Sequence, residues 1–252
     1  MSKVVIGIPC MDTVSTSFFS SVLGQRYDSV HQYSYAIEAG SMVYDARGRI
    51  AQRAINAGAE WLIMYDSDMV LPPETTQRLL DAAMGDAPSD VVPYGSRTSS
   101  VSAEGADTFP KGEDLGGGLR SFVSGLYFMR RLPTKPLILK ELDWYEDEVL
   151  GAQEFAEVYE DYPRDSVFEI AGCGFGCCVM SVEMVKHMTV AYRMNPFTPM
   201  PRLSEDYSFC LRARKLGYKL WCDSRIRPLH AGLKLYGEAD WDRQREAEDD
   251  KA

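Results

Sequence analysis

The chain has 252 residues, of which 45% are hydrophobic and 25% charged, the ordinary mixture of a globular protein. This composition excludes fibrous, collagen-like and wholly disordered classes, and no apolar run approaches the roughly 18 residues that span a bilayer. The apolar run at the N-terminus is too short for a signal peptide, so we expect a cytoplasmic protein with no membrane partner. The net charge of −10 disfavours non-specific nucleic-acid binding, although it leaves a locally basic groove possible.

The first 95 residues alternate strand and helix signals. Apolar runs predict strands over residues 4–9, 32–37, 61–65 and 90–94, and helices are predicted over residues 17–23, 41–57 and 72–84. Gly58 fits the end of the second helix, and prolines at 72 and 73 fit the start of the third. This alternation predicts an α/β fold with a mainly parallel central sheet and helices on both faces.

The second half is less regular. Residues 96–120 are rich in Gly, Ser and Thr, which predicts a long irregular insertion, either a lid that closes over the substrate or a surface loop without such a role. Strands are expected over residues 121–129, 137–139, 168–170, 177–180 and 218–222, and helices over residues 144–162, 181–187 and 204–216. We therefore expect one domain over residues 1–236, with halves 1–95 and 96–236. Residues 237–252 are expected to be a charged tail, either a frayed helix or disordered.

Six cysteines occur without a secretion signal, which favours reduced thiols over disulfides. Cys173, Cys177 and Cys178 lie close together and raise the possibility of a zinc site. Their spacing is not a paired C-x-x-C, and they fall in an apolar, glycine-rich run. Small buried side chains are the better interpretation.

The sequence Asp66-Ser67-Asp68 directly follows the predicted strand at residues 61–65. Ligands of open α/β sheets bind beyond the carboxyl ends of the strands, and two carboxylates there suit Mg²⁺ or Mn²⁺ that bridges substrate phosphates. A solvated turn is the alternative, since Asp is common in turns.

Two further features carry chemistry. Glu205 and Asp206 follow Ser204 at the start of a predicted helix, where one carboxylate suits a general base and both suit helix capping. His230, one of three histidines, follows the strand at residues 218–222 and suits a metal ligand or a packed imidazole. His31 and His187 have no such setting, and we assign them no role.

Together these motifs resemble the GT-A glycosyltransferases, particularly the soluble family 2-like enzymes. The resemblance runs from Val4 to about Gly232. It rests on Ile8-Pro9-Cys10, Asp45-Ala46-Arg47, the Asp66-Ser67-Asp68 motif, the glycine-rich residues 172–177, Ser204-Glu205-Asp206, Gly217-Tyr218 and His230.

The resemblance implies roles for these residues. Asp68 and His230 would bind Mn²⁺ or Mg²⁺, and Asp66 would assist the metal or hold the ribose. Pro9 would flank the nucleotide base, Arg47 would lie near the phosphates, and Gly174 would let the backbone approach the donor sugar. Asp206, beside Glu205, would be the base of an inverting transfer. Gly48 stands where the family has Asn, which leaves the contact at Arg47 open.

The resemblance also limits the reaction. No Q-x-x-R-W segment follows Glu205-Asp206, unlike in the processive synthases, so we expect a non-processive transfer of one sugar from a nucleotide-diphosphate sugar to a soluble acceptor. A glycan, a protein or a small hydroxy acid fits as the acceptor, and a phage-type transfer to a hydroxymethylated DNA base is an alternative that the net charge disfavours. Arg97, Arg130 and Arg131 are candidates for contacts with the phosphates or the acceptor, or are solvated surface residues. Tyr127, Trp144 and Tyr145 could stack on the acceptor or pack in the core.

Two further classes remain as alternatives. A nucleotidyltransferase would carry a glycine-rich basic loop after the first strand, and residues 10–15 contain neither Gly nor a basic residue. A non-catalytic nucleotide-sugar-binding protein is disfavoured by the presence of both acidic motifs. Release of a nucleoside diphosphate in the presence of Mn²⁺ separates an enzyme from that case.

Overall fold

An eight-stranded sheet lies at the centre of the part of the chain that the structure describes. The computed structural model describes residues 1–85, 91–92, 119–147, 150–232 and 235–249. Up to residue 92 the elements are β1 (Lys3–Cys10), α1 (Thr16–Leu23), β2 (Gln32–Ala39), α2 (Val43–Asn56), β3 (Trp61–Tyr65), β4 (Met69–Val70), α3 (Thr75–Met84) and β5 (Val91–Val92). They are followed by β6 (Phe122–Gly125), β7 (Ile138–Asp147), β8 (Gly151–Val158), β9 (Val167–Ile170), β10 (Gly172–Cys173), β11 (Cys177–Ser181), α4 (Val182–Tyr192), α5 (Glu205–Lys215), β12 (Leu220–Asp223), β13 (Leu229–Ala231), β14 (Leu235–Tyr236) and α6 (Glu238–Asp249).

The strands of the central sheet lie in the order β2-β1-β3-β11-β6-β12-β9-β5. β2, β1, β3, β6 and β12 run in one direction, and β11, β9 and β5 run in the other. The expected α/β fold with a mainly parallel sheet is therefore confirmed, while the second half adds antiparallel strands. Two three-stranded sheets, β10-β7-β8 and β14-β13-β4, flank the carboxyl edge of the five co-directional strands.

The core lies on both faces of this sheet because side chains alternate along each strand. In β3, Leu62 and Met64 face the layer that contains α2, α4 and α5, whereas Ile63 and Tyr65 face α1 and α3. A strand covered on both sides is an almost continuous apolar run. The expectation of helices on both faces is confirmed.

The elements of the first 85 residues follow their predicted positions. β3 has the predicted bounds, and α2 lies inside the predicted helix with Ala46 and Ile50 buried on one face. After α2 the chain turns at Gly58, whose φ of 63° is a left-handed conformation that glycine adopts without strain. In the second half, Ser181 caps α4 by accepting a hydrogen bond from Met184 N at 3.2 Å, as expected from its position.

The helix predicted over residues 144–162 is wrong, because β7 and β8 form an antiparallel hairpin there. Asp143 pairs with Phe155 and Trp144 pairs with Glu154. Aromatic side chains favour strands, and Gly151 turns the chain with a φ of 69°. β7 also continues its pairing onto β10, so tertiary contacts outweigh the helix preference of the acidic residues.

The insertion predicted over residues 96–120 lies outside the described residues except for its last two, so the lid remains a prediction. Arg120 is buried at the end of that segment. Its backbone N–H donates to Ala83 O at 2.6 Å, and its guanidinium donates to Ala82 O at 2.7 Å. The chain therefore re-enters the described fold anchored to the end of α3.

The segment predicted as a charged tail contains helix α6, which packs on the domain. Trp241 is 2% exposed, and Glu238 forms ion pairs with Arg164 and Arg227 and accepts a hydrogen bond from Tyr162 Oη at 2.9 Å. The expectation of a frayed or disordered tail is therefore wrong for residues 238–249. The apolar face of one tryptophan and a network of charges hold the helix in place.

The cysteines are free thiols, as expected. Cys173, Cys177 and Cys178 are fully buried, and burial raises the pKa of each thiol well above its ordinary value. Small core side chains are therefore the correct interpretation of this cluster. Among the helices of the described segments, none combines the length and the apolar character needed to cross a bilayer.

Candidate active site

The acidic motif after β3 forms a fixed turn at the carboxyl edge of the sheet. Met69 N donates to Asp66 O at 3.1 Å, Asp66 N donates to Gly176 O at 3.1 Å, and Ala231 N donates to Asp68 O at 2.7 Å. Pro9 lies on the neighbouring strand at the same level, since it is two residues beyond Gly7, the partner of Met64 in the parallel register. The structure therefore places the motif, the glycine-rich segment and β13 together.

Asp66 belongs to an ion cluster around a buried guanidinium. Arg47 from α2 donates through Nη2 to both carboxylate oxygens of Asp66, at 2.8 and 3.0 Å, and through Nη1 to Glu205 Oε1. The side chain of Arg47 is 2% exposed, and its guanidinium lies 5.4 Å from the centre of the Phe175 ring. Arg47, Asp66 and Glu205 are called the inner cluster below.

The inner cluster changes the interpretation of Arg47. Burial alone would lower the pKa of its guanidinium, but the charges of Asp66 and Glu205 raise that pKa above its ordinary value. Two of its nitrogens are bound to carboxylates, and the buried Nε has no hydrogen-bond partner within the described part of the chain. In this structure Arg47 thus joins two carboxylates from distant parts of the chain and is shielded from solvent.

Gly48, the departure from the family pattern, has a packing reason. A Cβ atom there would lie 2.4 Å from Asn195 Nδ2. This amide nitrogen donates to Tyr44 O at 3.1 Å, which ties the chain before α5 to the first turn of α2. The absence of a side chain at position 48 therefore lets Asn195 bring α2 and the segment before α5 together.

Asp68 lies in a second, more exposed cluster. Its Oδ2 atom accepts a hydrogen bond from Arg130 Nη1 at 2.5 Å and lies 3.3 Å from His230 Nε2. The side chain of Asp68 is 31% exposed and that of Arg130 is 56% exposed. Asp68, Arg130 and His230 are called the outer cluster below.

The tautomer of His230 follows from its second nitrogen. Nδ1 lies 2.8 Å from Phe128 O, and a carbonyl oxygen only accepts, so Nδ1 carries the proton. In the neutral ring Nε2 therefore presents a lone pair toward the Asp68 carboxylate. A metal ion bound by both atoms would suit these two lone pairs, which lie 3.3 Å apart.

A metal fits this pair only in part. Asp68 and His230 offer one oxygen and one nitrogen, a donor set suited to Mn²⁺, whereas Asp66 is bound to Arg47. Within the described ranges no group of three His, Cys, Asp or Glu residues converges as a metal site. A bound ion would take its remaining ligands from water and substrate phosphates, the ordinary pattern for Mg²⁺ at nucleotides.

Asp206 opens helix α5 beside the inner cluster. Its Oδ1 atom accepts hydrogen bonds from Ser204 Oγ and from Tyr207 N, the latter at 2.8 Å. Burial and the neighbouring charge of Glu205 raise the pKa of Asp206 to about 6, although Arg47 acts in the opposite direction. Asp206 is thus a carboxylate at neutral pH and a stronger base than an ordinary aspartate.

Tyr127 supports the glycine-rich segment of this site, a role that the sequence analysis did not predict. It is 3% exposed, its hydroxyl accepts a hydrogen bond from Gly176 N at 2.8 Å, and its ring meets His230 edge-on at 5.6 Å. A Cβ atom at Gly174 would lie 2.2 Å from this hydroxyl and 3.5 Å from Asp206 Oδ2. Glycine is needed at 174 because Tyr127 fills that space. Tyr127 is therefore a core residue that supports the glycine-rich segment, and it is not an acceptor platform.

The β7–β8 hairpin stands beside the start of α5. Trp144 Nε1 donates to Pro201 O at 2.9 Å, which fixes the half-buried indole next to the segment that presents Asp206. Burial raises the pKa of the Tyr207 hydroxyl, and the charges of Asp206 and Glu154 add to this effect, which places Tyr207 near both. Tyr145, the next residue along the strand, points to the opposite face and is 53% exposed.

Of the residues predicted as a site, the structure brings Arg47, Asp66 and Glu205 into one cluster, with Asp206 beside it. Asp68 and His230 form the other. No signal in the sequence marked Arg130 as a partner of Asp68, because the two are 62 positions apart. Arg97 lies outside the described residues, and Arg131 is exposed on the same loop as Arg130.

Comparisons with known proteins show the fold and no family. No family model matches the chain, and no curated protein matches it. The solved structure titled "Crystal Structure of A197 from STIV" is similar with a TM-score of 0.52 and 14% identity, over 92% of this chain and 86% of that chain. At this identity the likeness shows that the two chains share an overall fold.

Proposed function

We propose that this protein is a metal-dependent glycosyltransferase of the GT-A type. It transfers one sugar from a nucleotide-diphosphate sugar to an acceptor hydroxyl. The observation that carries the proposal is the convergence of two acidic motifs on one sheet edge, where Asp66 and Glu205 share Arg47 and Asp68 meets His230. Ligands of open α/β sheets bind at this edge.

Charge at the cleft supports a divalent cation. Four carboxylates, from Asp66, Asp68, Glu205 and Asp206, face two guanidinium groups, from Arg47 and Arg130. A nucleotide diphosphate adds at least two negative charges, so its binding needs further positive charge. Mn²⁺ or Mg²⁺ held by Asp68 and His230 would supply that charge and stabilise the diphosphate as it leaves.

Asp206 supports an inverting reaction as the general base. A hydroxyl that attacks the anomeric carbon must lose its proton, and a carboxylate with a pKa of about 6 accepts it while remaining ionised at neutral pH. Glu205, expected beside it as a catalytic residue, is bound to Arg47 and acts by positioning that guanidinium. The proposal therefore gives Asp206 the proton transfer and Glu205 a supporting role.

The acceptor side of the cleft favours a neutral polyhydroxyl acceptor over DNA. The sequence stretch 138–158, which includes strands β7 and β8 beside Asp206, contains seven acidic residues and one lysine: Glu141, Asp143, Glu146, Asp147, Glu148, Glu154, Glu157 and Lys140. Negative charge at this density repels a phosphate backbone. The half-buried indole of Trp144 offers an apolar surface against which a sugar ring packs.

The proposal is tested by incubating the purified chain with a panel of UDP-, GDP-, CDP- and dTDP-sugars and Mn²⁺. Slow release of the nucleoside diphosphate from one donor, lost in EDTA and in Asp68→Asn, is the expected result. If the chain binds a nucleotide sugar but releases no diphosphate with any neutral glycan acceptor, it is a binding protein. A chain that releases pyrophosphate from sugar phosphate and nucleoside triphosphate is a nucleotidyltransferase.

A further inference from the structure

Arg130 binds the carboxylate of Asp68 in the outer cluster. Its Nη1 atom lies 2.5 Å from Asp68 Oδ2, the same oxygen that faces His230 Nε2 at 3.3 Å. A metal ion bound to the same oxygen would therefore meet this guanidinium. The outer cluster therefore already contains a cation of its own, in contrast to a preformed empty metal site.

The side chain of Arg130 is largely exposed, whereas the loop that carries it is fixed. Met129 N donates to Lys135 O at 2.9 Å, and Thr134 Oγ1 donates to Met129 O at 2.8 Å, which closes the loop on itself. Helix α6 fixes the loop from outside, since Gln244 Oε1 accepts from Thr134 N at 2.8 Å. The side chain of Arg130, in contrast, is 56% exposed.

Charge would favour movement of the Arg130 guanidinium from Asp68 to a diphosphate. A divalent ion on Asp68 repels the neighbouring guanidinium, and a diphosphate offers it the two-pronged acceptor geometry that arginine matches best. Arg47 cannot take this part because its side chain is 2% exposed and bound to Asp66 and Glu205. Arg130 is the guanidinium of the two clusters that reaches solvent.

We propose that Arg130 competes with the metal for Asp68 in the free protein and moves to the donor diphosphate when the metal–nucleotide complex arrives. This inference rests on the proposed function. It makes metal and nucleotide bind cooperatively, because the nucleotide removes the competitor from the metal ligand. Arg130 is thereby assigned as a diphosphate-binding residue. In the free protein it would weaken metal binding at Asp68.

The test measures Mn²⁺ binding by electron paramagnetic resonance and UDP or GDP binding by calorimetry, on the full chain. In the wild-type protein, a saturating nucleoside diphosphate should tighten Mn²⁺ binding about tenfold or more. Arg130→Gln should bind Mn²⁺ alone about three- to tenfold more tightly, because the competing cation is gone. It should bind the nucleotide–Mn²⁺ complex about tenfold more weakly, because a charge-assisted contact is lost.

Lys135→Gln is the matched control, since it removes one positive charge from the same loop. Its ammonium is bound to Glu160 at 2.7 Å, away from Asp68, so both affinities should stay within about twofold of wild type. Arg130→Lys keeps the charge but loses the forked geometry, so it should restore weak metal binding and only part of the nucleotide affinity. Thermal unfolding of each variant shows that it is folded.

The outcomes separate this inference from the proposed function. If Arg130→Gln weakens Mn²⁺ binding, or leaves both affinities unchanged, the competition is absent and the inference fails while the function stands. If the wild-type protein binds neither Mn²⁺ nor any nucleoside diphosphate at millimolar concentration, the proposed function fails and the inference fails with it.

Discussion

Asp66 and Asp68 are two residues apart, yet the inner and outer clusters to which they belong differ in the burial of their guanidinium and in their third member. The inner cluster joins two carboxylates to a guanidinium that is 2% exposed, with each of its members on a different element or turn. The outer cluster joins a carboxylate to a guanidinium that is 56% exposed and to an imidazole. One short motif thus supplies two carboxylates of similar exposure, 28% for Asp66 and 31% for Asp68, one paired with a buried guanidinium and the other with an exposed one.

This difference arises from the direction of the chain. Asp66 follows β3 immediately, where the side chain turns back toward α2 and α5 and meets Arg47. Asp68 lies beyond the turn, tied by its carbonyl to Ala231 on β13, and its side chain reaches the loop of Arg130. A buried ion pair is costly to break, and an exposed one is weak and easily exchanged. We therefore expect substitutions in the inner cluster to affect stability and those in the outer cluster to affect ligand binding.

Arg47→Met gives the largest expected effect and tests the inner cluster directly. It leaves Asp66 and Glu205 without their shared cation, which should lower the free energy of unfolding by about 3–5 kcal/mol in urea denaturation. Arg49→Met, on the same helix, is the control. Arg49 is 51% exposed and shares Glu38 with Arg53, so its loss should cost at most about 1 kcal/mol. Equal losses in the two variants would mean that the inner cluster is not a structural unit.

Asp206→Asn tests the carboxylate next to the inner cluster. As general base, Asp206 should contribute a factor of about 10²–10⁴ to kcat, while donor KM changes little. With a pKa of about 6, wild-type turnover should fall about tenfold per pH unit below that value, and the variant should lack this slope. Retention of anomeric configuration in the product, read by NMR, would contradict the base role.

Asp206 also predicts a pH dependence of stability. Its pKa is about 6 in the folded protein, above the ordinary aspartate value of about 3.9, so the folded state binds the proton more tightly. Stability relative to Asp206→Asn should therefore rise as pH falls from 6 to 4 and be lowest above pH 6. Urea denaturation of both proteins at pH 4.5 and 7.5 measures this difference. A stability difference that grows with rising pH would contradict a raised pKa of Asp206 in the folded protein.

Asp68→Asn tests the outer cluster and should separate function from stability. Turnover with Mn²⁺ should fall by about 100-fold or more, because the remaining imidazole alone holds the ion poorly. The free energy of unfolding should change by at most about 1 kcal/mol, since Asp68 is 31% exposed. Asp165→Asn removes a carboxylate that pairs with Arg227 elsewhere on the surface, so turnover should be unchanged. Full activity of Asp68→Asn, or of wild type in EDTA, would contradict the metal-dependent reaction.

The sequence predicted much of this geometry and missed the rest for physical reasons. Strand β3 and helix α2 were predictable because a central strand is uniformly apolar and a helix repeats its apolar face every 3.6 residues. The hairpin β7–β8 was not, since its pairing with β10 comes from residues far along the chain. The turn after β3 was predictable as a candidate ligand site from its position and its two carboxylates, and that role stays a prediction.

The partners within the site were not predictable from the sequence. Arg47 and Glu205 are 158 positions apart, and nothing in the local sequence of either marks the contact. The same holds for Tyr127, an aromatic residue in an apolar segment whose hydroxyl happens to meet Gly176. Motifs indicated candidate carboxylates, but only the fold determines which cation each carboxylate meets.

The smallest expected effect concerns the hairpin, which lies beyond both clusters. Trp144→Ala removes an indole held beside Asp206 by its hydrogen bond to Pro201 O, so the acceptor KM should rise about tenfold, which corresponds to about 1.4 kcal/mol. Hydrolysis of the donor without acceptor should stay within about twofold, because neither cluster contains Trp144. Tyr145→Ala is the matched control, since its ring lies on the opposite face of the same strand and is 53% exposed. Equal acceptor KM values for the two variants would place the acceptor elsewhere. A loss of donor hydrolysis in Trp144→Ala would instead show that the hairpin supports α5 and, through Glu205, the inner cluster.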